Sequence, residues 1–242
     1  MSGISQSYSE ADLLQPVAQA PAAARADFIR KTYLNLALAV LAFAIITAAL
    51  LQIPLTQEYC RRMLANPMMF LLSLGGMMFV GWVADRWACR SPSIEVQYAG
   101  LALYTIGEAI FFTPLLYLAS HYFDGEPVIE TAGMLTLLVF GALTAAVFIT
   151  GADFSFLRPA LFIVGAGAFG LIVCSILFGG FSLGIIFSVA MVVLAAGYIL
   201  YFTSNVLHHY PVGMHVGAAL ALFSALATLF WYVLQIVMSM DD

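Results

Sequence analysis

Apolar residues along the chain fall into seven long runs, which short polar segments separate. Each run has about the 20 residues that an α-helix needs to cross the hydrocarbon core of a bilayer. The strands of membrane β-barrels alternate apolar and polar residues, whereas a run such as 161–176 is apolar on every face. The pattern therefore predicts membrane-spanning helices at about 33–53, 67–84, 98–120, 129–150, 158–178, 181–203 and 213–238.

Proline and glycine mark several ends of these runs. Pro54 follows the first run, Pro159 opens the fifth and Pro211 precedes the seventh. A proline in the first turn of a helix costs no hydrogen bond, because the N–H at that position has no partner within the helix. Only Gly179 and Gly180 separate the fifth run from the sixth, so six spans with a re-entrant element are an alternative to seven spans.

The composition favours a single membrane domain. Of the 242 residues, 63% are hydrophobic and 9% are charged, whereas a soluble domain carries about 25% charged residues. Residues 1–29 are polar and rich in Ser, Ala, Gln and Pro, and they do not have the pattern of a cleavable signal peptide. The sequence predicts an all-α integral membrane protein, with a disordered cytoplasmic tail at 1–29 and a seven-helix transmembrane domain at 30–240.

The basic residues predict the orientation, because cytoplasmic loops of membrane proteins carry an excess of Lys and Arg. Only Arg61 and Arg62 would lie on the side opposite the N-terminus. The same side as the N-terminus would hold Arg25, Arg30, Lys31, Arg86, Arg90 and Arg158. We therefore expect a cytoplasmic N-terminus, with Asp241 and Asp242 on the opposite side. The short loops and the lack of a targeting signal favour a bacterial inner membrane.

Several function classes lack the residues that they need. The only lysine is Lys31, so no span offers one for retinal attachment. No predicted span contains the aspartates of an intramembrane aspartyl protease, and no nucleophilic serine motif, Walker loop or dinucleotide motif is present. The cysteines (Cys60, Cys89 and Cys174) form no C-x-x-C pair, and the basic residues form no patch for nucleic acid. We expect no enzyme activity, cofactor, metal site or nucleic-acid partner.

Glu108 is an acidic residue near the middle of the third predicted span. A charge at that depth costs roughly 3 kcal/mol or more, so such acids face a cavity or a partner. Burial favours the neutral form of a carboxyl, which makes Glu108 a candidate for taking up and releasing a proton. Pro114 removes the helix hydrogen bond to the carbonyl of Ile110 and can kink the helix, so we interpret the two residues as a gate. The alternative is a neutral Glu108 that bonds a hydroxyl for packing alone.

Polar residues also mark the last span. Ser224, Thr228 and Gln235 share one face of it, and two interpretations are open. They line a polar interior, or their hydroxyls bond back to the backbone of their own helix.

Further candidates lie on the predicted cytoplasmic side. His208 and His209 precede the last span and are either pH sensors, since histidine titrates near neutral pH, or an interfacial loop. Asp85 and Arg86 end the second span, where we expect them to pair at the level of the lipid headgroups. They either close a cytoplasmic mouth or form a solvated helix end.

Four segments resemble the Bax inhibitor family, the group that includes the YccA-like bacterial membrane proteins. They are 28–33 (FIRKTY), 107–116 (GEAIFFTPLL), 196–203 (AGYILYFT) and 219–223 (ALALF), and the resemblance covers about 28–238. It implies a seven-helix bundle whose last helix is surrounded by the others. It also implies a pH-sensitive leak of calcium or other cations, and in some members regulation of a membrane-bound protease or of cell death.

The chain departs from this family at the pair of aspartates that serves as its proton sensor. The matching positions here are Phe202 and Ala225, and Thr228 replaces the asparagine that usually follows. Our leading hypothesis is a membrane protein that permits or regulates cation leak, with Glu108 as the titrating group and the His208–His209 loop as the second candidate. The alternative is a non-conducting regulator that binds a membrane protease or another membrane complex through its tail.

Overall fold

The computed structural model describes residues 15–122, 127–178 and 184–240, which are almost entirely helical. In these ranges the chain forms eight α-helices: α1 (Ala22–Leu51), α2 (Pro54–Ala65), α3 (Pro67–Arg90), α4 (Ile94–Tyr122), α5 (Val128–Thr150), α6 (Arg158–Phe178), α7 (Gly184–His208) and α8 (His215–Met240). All except α2 are long and apolar enough to cross a membrane. The predicted all-α bundle of seven spans is confirmed.

The helices α6 and α7 each have the length and hydropathy of a full span. This favours seven spans over the alternative with a re-entrant element. The junction with Gly179 and Gly180 lies outside the described residues, as do Asp241 and Asp242. We call the end of the bundle where α8 begins the N-terminal face, and the end where α8 finishes the C-terminal face.

The predicted disordered tail is wrong from residue 15 onward. A 3-10 turn forms at Val17–Gln19, and α1 begins at Ala22, eleven residues before the predicted span. Ala24, Phe28 and Thr32 are buried at helical spacing, so one stripe of the polar-looking segment packs into the bundle. Residues 1–14, with the disorder predicted for them, lie outside the described residues.

The short helix α2 was missed because its charged residues interrupt any apolar run. Its 12 residues are too few to span a bilayer, but they separate into two faces. Cys60 and Met63 are buried, while Glu58 forms exposed ion pairs with Arg61 (3.1 Å) and Arg62 (2.8 Å). These pairs hold the pKa of Glu58 below its usual value. The segment therefore lies as an amphipathic helix between two spans.

The last helix, α8, lies at the centre of the bundle. In its most apolar stretch 61% of the residues are buried, against 6% for α3. The helix contacts α1, α3, α4, α5 and α7. The central position that the family resemblance implied is confirmed. In contrast, α6 packs mainly on α7 and α3 at the edge.

Candidate functional site

Glu108 is buried in the middle of α4, with 7% of its surface exposed. Its polar neighbour is the hydroxyl of Tyr104, one turn earlier on the same helix, and Ser224 of α8 neighbours that hydroxyl in turn. Among the described residues no basic side chain forms an ion pair with Glu108. The carboxyl therefore has no counter-charge inside the described part of the bundle.

Glu108 borders a cavity of about 210 Å³ between α3, α4, α6, α7 and α8. Most of the remaining lining is aromatic, aliphatic or thioether: Phe70, Met77, Phe111, Phe112, Met191 and Trp231 are examples. Thr228 and Tyr232 add the polar atoms from α8. Glu108 is the only carboxyl among the lining residues, and the titratable side chains near it are Tyr104 and Tyr232.

A second cavity of about 370 Å³ adjoins the first on the side of the C-terminal face. The two share the walls Phe70, Ile172, Trp231 and Tyr232. Its polar lining is Ser175, Ser188, Gln235 and Ser239, and the Ser188 hydroxyl donates to Gln235 Oε1 over 2.9 Å. Ser239 lies in the last turn of α8. The two cavities together lead from the C-terminal end of the bundle to mid-membrane.

Packed rings lie on the other side of Glu108, towards the N-terminal face. Tyr104 and Phe223 meet edge to face with centroids 6.0 Å apart, and Phe43 meets Phe223 at 6.1 Å. Buried Leu101 and Leu220 continue this cluster. The path that begins at the C-terminal face therefore ends at Glu108 in this structure.

A family model described as "Inhibitor of apoptosis-promoting Bax1" matches residues 25–242 of the chain. The chain belongs to the Bax inhibitor family. It matches none of the curated proteins with which it was compared.

In this member of the Bax inhibitor family, the two positions of the absent aspartates are filled by apolar packing. Phe202 stacks on Tyr198 with a centroid distance of 5.8 Å. Ala225 is buried in the cluster that includes Leu229 and Ala195. Neither side chain can bind a proton or coordinate a metal ion as an aspartate does.

The polar residues predicted on α8 divide between the two interpretations. Ser224 donates to the carbonyl of Ala221, and Thr228 donates to the carbonyl of Ser224, both over 2.9 Å. Both hydroxyls thus bond back to their own helix, although Thr228 also borders the cavity. Gln235 instead accepts a hydrogen bond from Ser188 of α7, and it lines the second cavity.

Pro114 is buried in α4, and the helix continues through it to Tyr122. Thr113, just before it, donates to the carbonyl of Ala109 over 2.6 Å. Pro114 does not line either cavity. Its gating role stays a prediction, and it would act through the shape of α4.

The predicted pairing of Asp85 with Arg86 is wrong, because α3 continues to Arg90 and both residues lie within it. Consecutive residues of a helix point in different directions. Both side chains are exposed, and the Arg86 guanidinium lies over the Trp82 ring at 5.8 Å. In the described part of the chain, no ion pair joins Asp85 and Arg86.

The histidines lie at the N-terminal face, far along the bundle from the two cavities. His208 ends α7, where its Nδ1 lies 3.0 Å from the carbonyl oxygen of Ser204. His209 Nε2 lies 3.0 Å from a carboxylate oxygen of Asp153, a residue that the sequence analysis did not consider. A recess of about 520 Å³ beside His209 is bordered by Arg158 and Asn205.

Asp153 connects α7 to the segment that begins α6. Its carboxylate accepts hydrogen bonds from the backbone N–H of Ser155 (2.9 Å) and from the Ser204 hydroxyl (3.2 Å). The backbone N–H of Ser155, followed by the Ser155 side chain and His209, holds the pKa of Asp153 well below its usual value. The signal in the sequence was an aspartate two residues before a serine at a helix start, which is a common Asx turn.

Proposed function

We propose that this member of the Bax inhibitor family permits a pH-sensitive leak of calcium or other cations, with Glu108 as the group that binds the proton. The observation that carries the proposal is the Glu108 carboxyl, the one buried carboxyl in the described part of the chain, at the inner end of two adjoining cavities. Buried acids in membrane spans usually serve ion or proton pathways.

The expected direction of the pH effect follows from competition at this carboxyl. An ionised Glu108 attracts a cation into the cavity, whereas a protonated Glu108 is neutral and does not. Proton and cation therefore compete for the same group, and flux should fall as the pH falls. Tyr104 and Tyr232 are the other titratable side chains near Glu108. They are neutral between pH 6 and pH 8, because phenols titrate near pH 10 in water.

The packed rings on the side of Glu108 towards the N-terminal face favour a slow leak over an open pore. Tyr104 and Phe43 each pack edge to face on Phe223, in the buried cluster on this side of Glu108. A cation that reaches Glu108 must wait until these rings separate. We therefore expect flux to be limited by that motion as well as by the charge of Glu108.

The test is calcium flux into liposomes that hold the purified chain, at pH 6, 7 and 8. Wild type is compared with Glu108→Gln, which keeps the side-chain shape but removes the charge. Glu95→Gln is the matched control, because Glu95 is exposed in the first turn of the same helix. We expect flux that falls towards pH 6 in wild type and in the control, and low flux without pH dependence in Glu108→Gln. Wild-type flux equal to that of empty liposomes would exclude the leak of calcium.

One observation favours the alternative, a regulator that binds a membrane-bound protease. The aspartate positions of the family are filled by Phe202 and Ala225, which pack in the core and cannot titrate. Because residues 15–29 belong to the folded bundle, the binding role predicted for 1–29 is now proposed for residues 1–14. Deleting residues 2–14 should abolish capture of the protease and leave flux unchanged. Equal capture with and without these residues would argue against this mode of binding.

A further inference from the structure

The side chains around Glu108 combine one negative charge with a group of aromatic rings. Phe111 stacks on Trp231 with centroids 5.1 Å apart, and Phe112 meets Trp231 edge to face at 4.9 Å. Phe70 lies 6.0 Å from Phe111 on the opposite helix. Because these rings support one another, they form a wall of defined shape beside the carboxyl.

This lining suits an organic cation better than a bare metal ion. A calcium ion takes six to eight oxygen ligands. The cavity that Glu108 borders offers the Glu108 carboxylate, the Tyr232 hydroxyl and a Thr228 hydroxyl that already donates to Ser224. An ammonium ion with apolar substituents needs no such shell. Aromatic rings attract it through cation–π contacts, the mode by which proteins recognise quaternary ammonium ligands.

The space is also of suitable size. The cavities of about 210 and 370 Å³ share Phe70, Trp231 and Tyr232 as walls, and together they reach the range of about 300–1,000 Å³ that is usual for small-molecule sites. The charge lies at the inner end, and apolar surface follows for most of the length. A ligand with a charged head and a hydrophobic body matches this distribution.

We propose that the two adjoining cavities bind a hydrophobic organic ammonium ion, with its nitrogen beside Glu108 and its apolar body against Phe70, Trp231 and Tyr232. This binding does not depend on conduction. It stands if the chain binds such an ion without passing calcium, and it fails if calcium passes but no organic cation binds.

The test is calorimetric titration of the full chain in an uncharged detergent with benzyltrimethylammonium. Neopentylbenzene, which replaces the ammonium nitrogen by carbon, is the neutral comparison compound, and tetramethylammonium lacks the aromatic body. We expect saturable binding of benzyltrimethylammonium and at least about tenfold weaker binding of the other two. The neutral compound loses the attraction of Glu108 and the cation–π contacts, and tetramethylammonium loses the apolar body that packs against the rings. Equal affinity for the neutral compound, or no binding of benzyltrimethylammonium, would overturn the proposal without any variant.

Two substitutions locate the site. Glu108→Gln and Trp231→Leu should each weaken binding by at least about tenfold. Trp82→Leu is the control for Trp231, because Trp82 is 60% exposed on the outer surface of α3 and lines neither cavity. If both Glu108→Gln and Trp231→Leu bind as wild type does, the ligand lies elsewhere and the assignment is wrong.

Discussion

The two halves of the bundle pack in different ways, and the residue sizes explain the difference. Near the N-terminal face, Ala84, Ala88, Gly100 and Gly217 bring α3, α4 and α8 into close contact. Near the C-terminal face, Phe70, Trp231 and Tyr232 stand between the same helices and leave the two cavities. Small residues let backbones approach in membrane bundles, whereas rigid rings cannot fill every gap around them.

This contrast places Glu108 at a boundary. Towards the C-terminal face it borders open space, and towards the N-terminal face it meets the packed cluster of Tyr104 and Phe223. A group at such a boundary is reached from one side only while the packed half stays closed. Substitutions that loosen the half near the N-terminal face, the packed half, should therefore mainly lower the stability of the fold. Substitutions at the cavities should mainly change ligand binding and ion flux.

The largest effect should come from adding one methyl group at Gly100. A Cβ at this position would lie 2.8 Å from the carbonyl oxygen of Ala84 and 2.9 Å from the backbone nitrogen of Ala88. Because both atoms belong to the backbone of α3, the helices must separate. Gly100→Ala should lower the free energy of unfolding by about 1–3 kcal/mol, measured by thermal unfolding in detergent.

Gly133→Ala on α5 is the matched control, since a Cβ there meets nothing within 4 Å. It should keep or raise the midpoint of unfolding, because alanine favours the helix over glycine. Equal midpoints for Gly100→Ala and wild type would mean that α3 and α4 are not held as closely as described.

A smaller effect should follow from loosening the N-terminal segment that covers the packed half. The N–H of Val17 donates to the carbonyl of Tyr210 over 2.9 Å, and the N–H of Val212 donates to the carbonyl of Gln15 over 3.2 Å. The Val17 side chain is fully buried beneath this contact. Val17→Ala removes two methyl groups and should cost about 1–2 kcal/mol.

Hydrogen exchange at the Val212 amide is the direct measurement of this contact. The exchange rate should rise in Val17→Ala and stay unchanged in Gln19→Ala, whose side chain is exposed two residues away. Unchanged exchange in Val17→Ala would show that residues 15–17 do not hold the start of α8.

The spans could be predicted from sequence because seven apolar runs reflect the thickness of the bilayer directly. Depth along a span could be predicted too, which is why Glu108 was found at mid-membrane. The contacts that these residues make with other helices could not be predicted, because they depend on how the spans pack. The cavities, the aromatic wall around Trp231 and the bond between Asp153 and His209 all join residues that are distant in sequence.

The sequence prediction placed the start of α1 too late and missed α2, and these two errors have a common cause. Hydropathy reports average apolarity, and it misses segments in which only one stripe is buried. The start of α1 at Ala22 and the whole of α2 are of this kind: Phe28 and Cys60 are buried although charged residues lie close to each. A search for helical periodicity in 15–32 and 54–65 would have found both.

The smallest effect concerns the Asp153 carboxylate at the rim of the packed half. Its pKa is held below the usual value in the folded state, so its hydrogen bonds stabilise the fold above the unfolded pKa of about 3.9. That contribution is lost as the pH falls from about 4 towards the lower folded pKa. Because Asp153 is exposed, we expect these hydrogen bonds to add less than about 1 kcal/mol to the free energy of unfolding.

Asp153→Asn should therefore unfold at a slightly lower temperature than wild type at pH 7, and the difference in midpoint should shrink at pH 3. Asp27→Asn, which removes another exposed carboxylate at the same face, controls for the loss of a negative charge. A difference that is the same at pH 7 and pH 3 would mean that the bonds to Ser155 and Ser204 do not favour the ionised carboxylate.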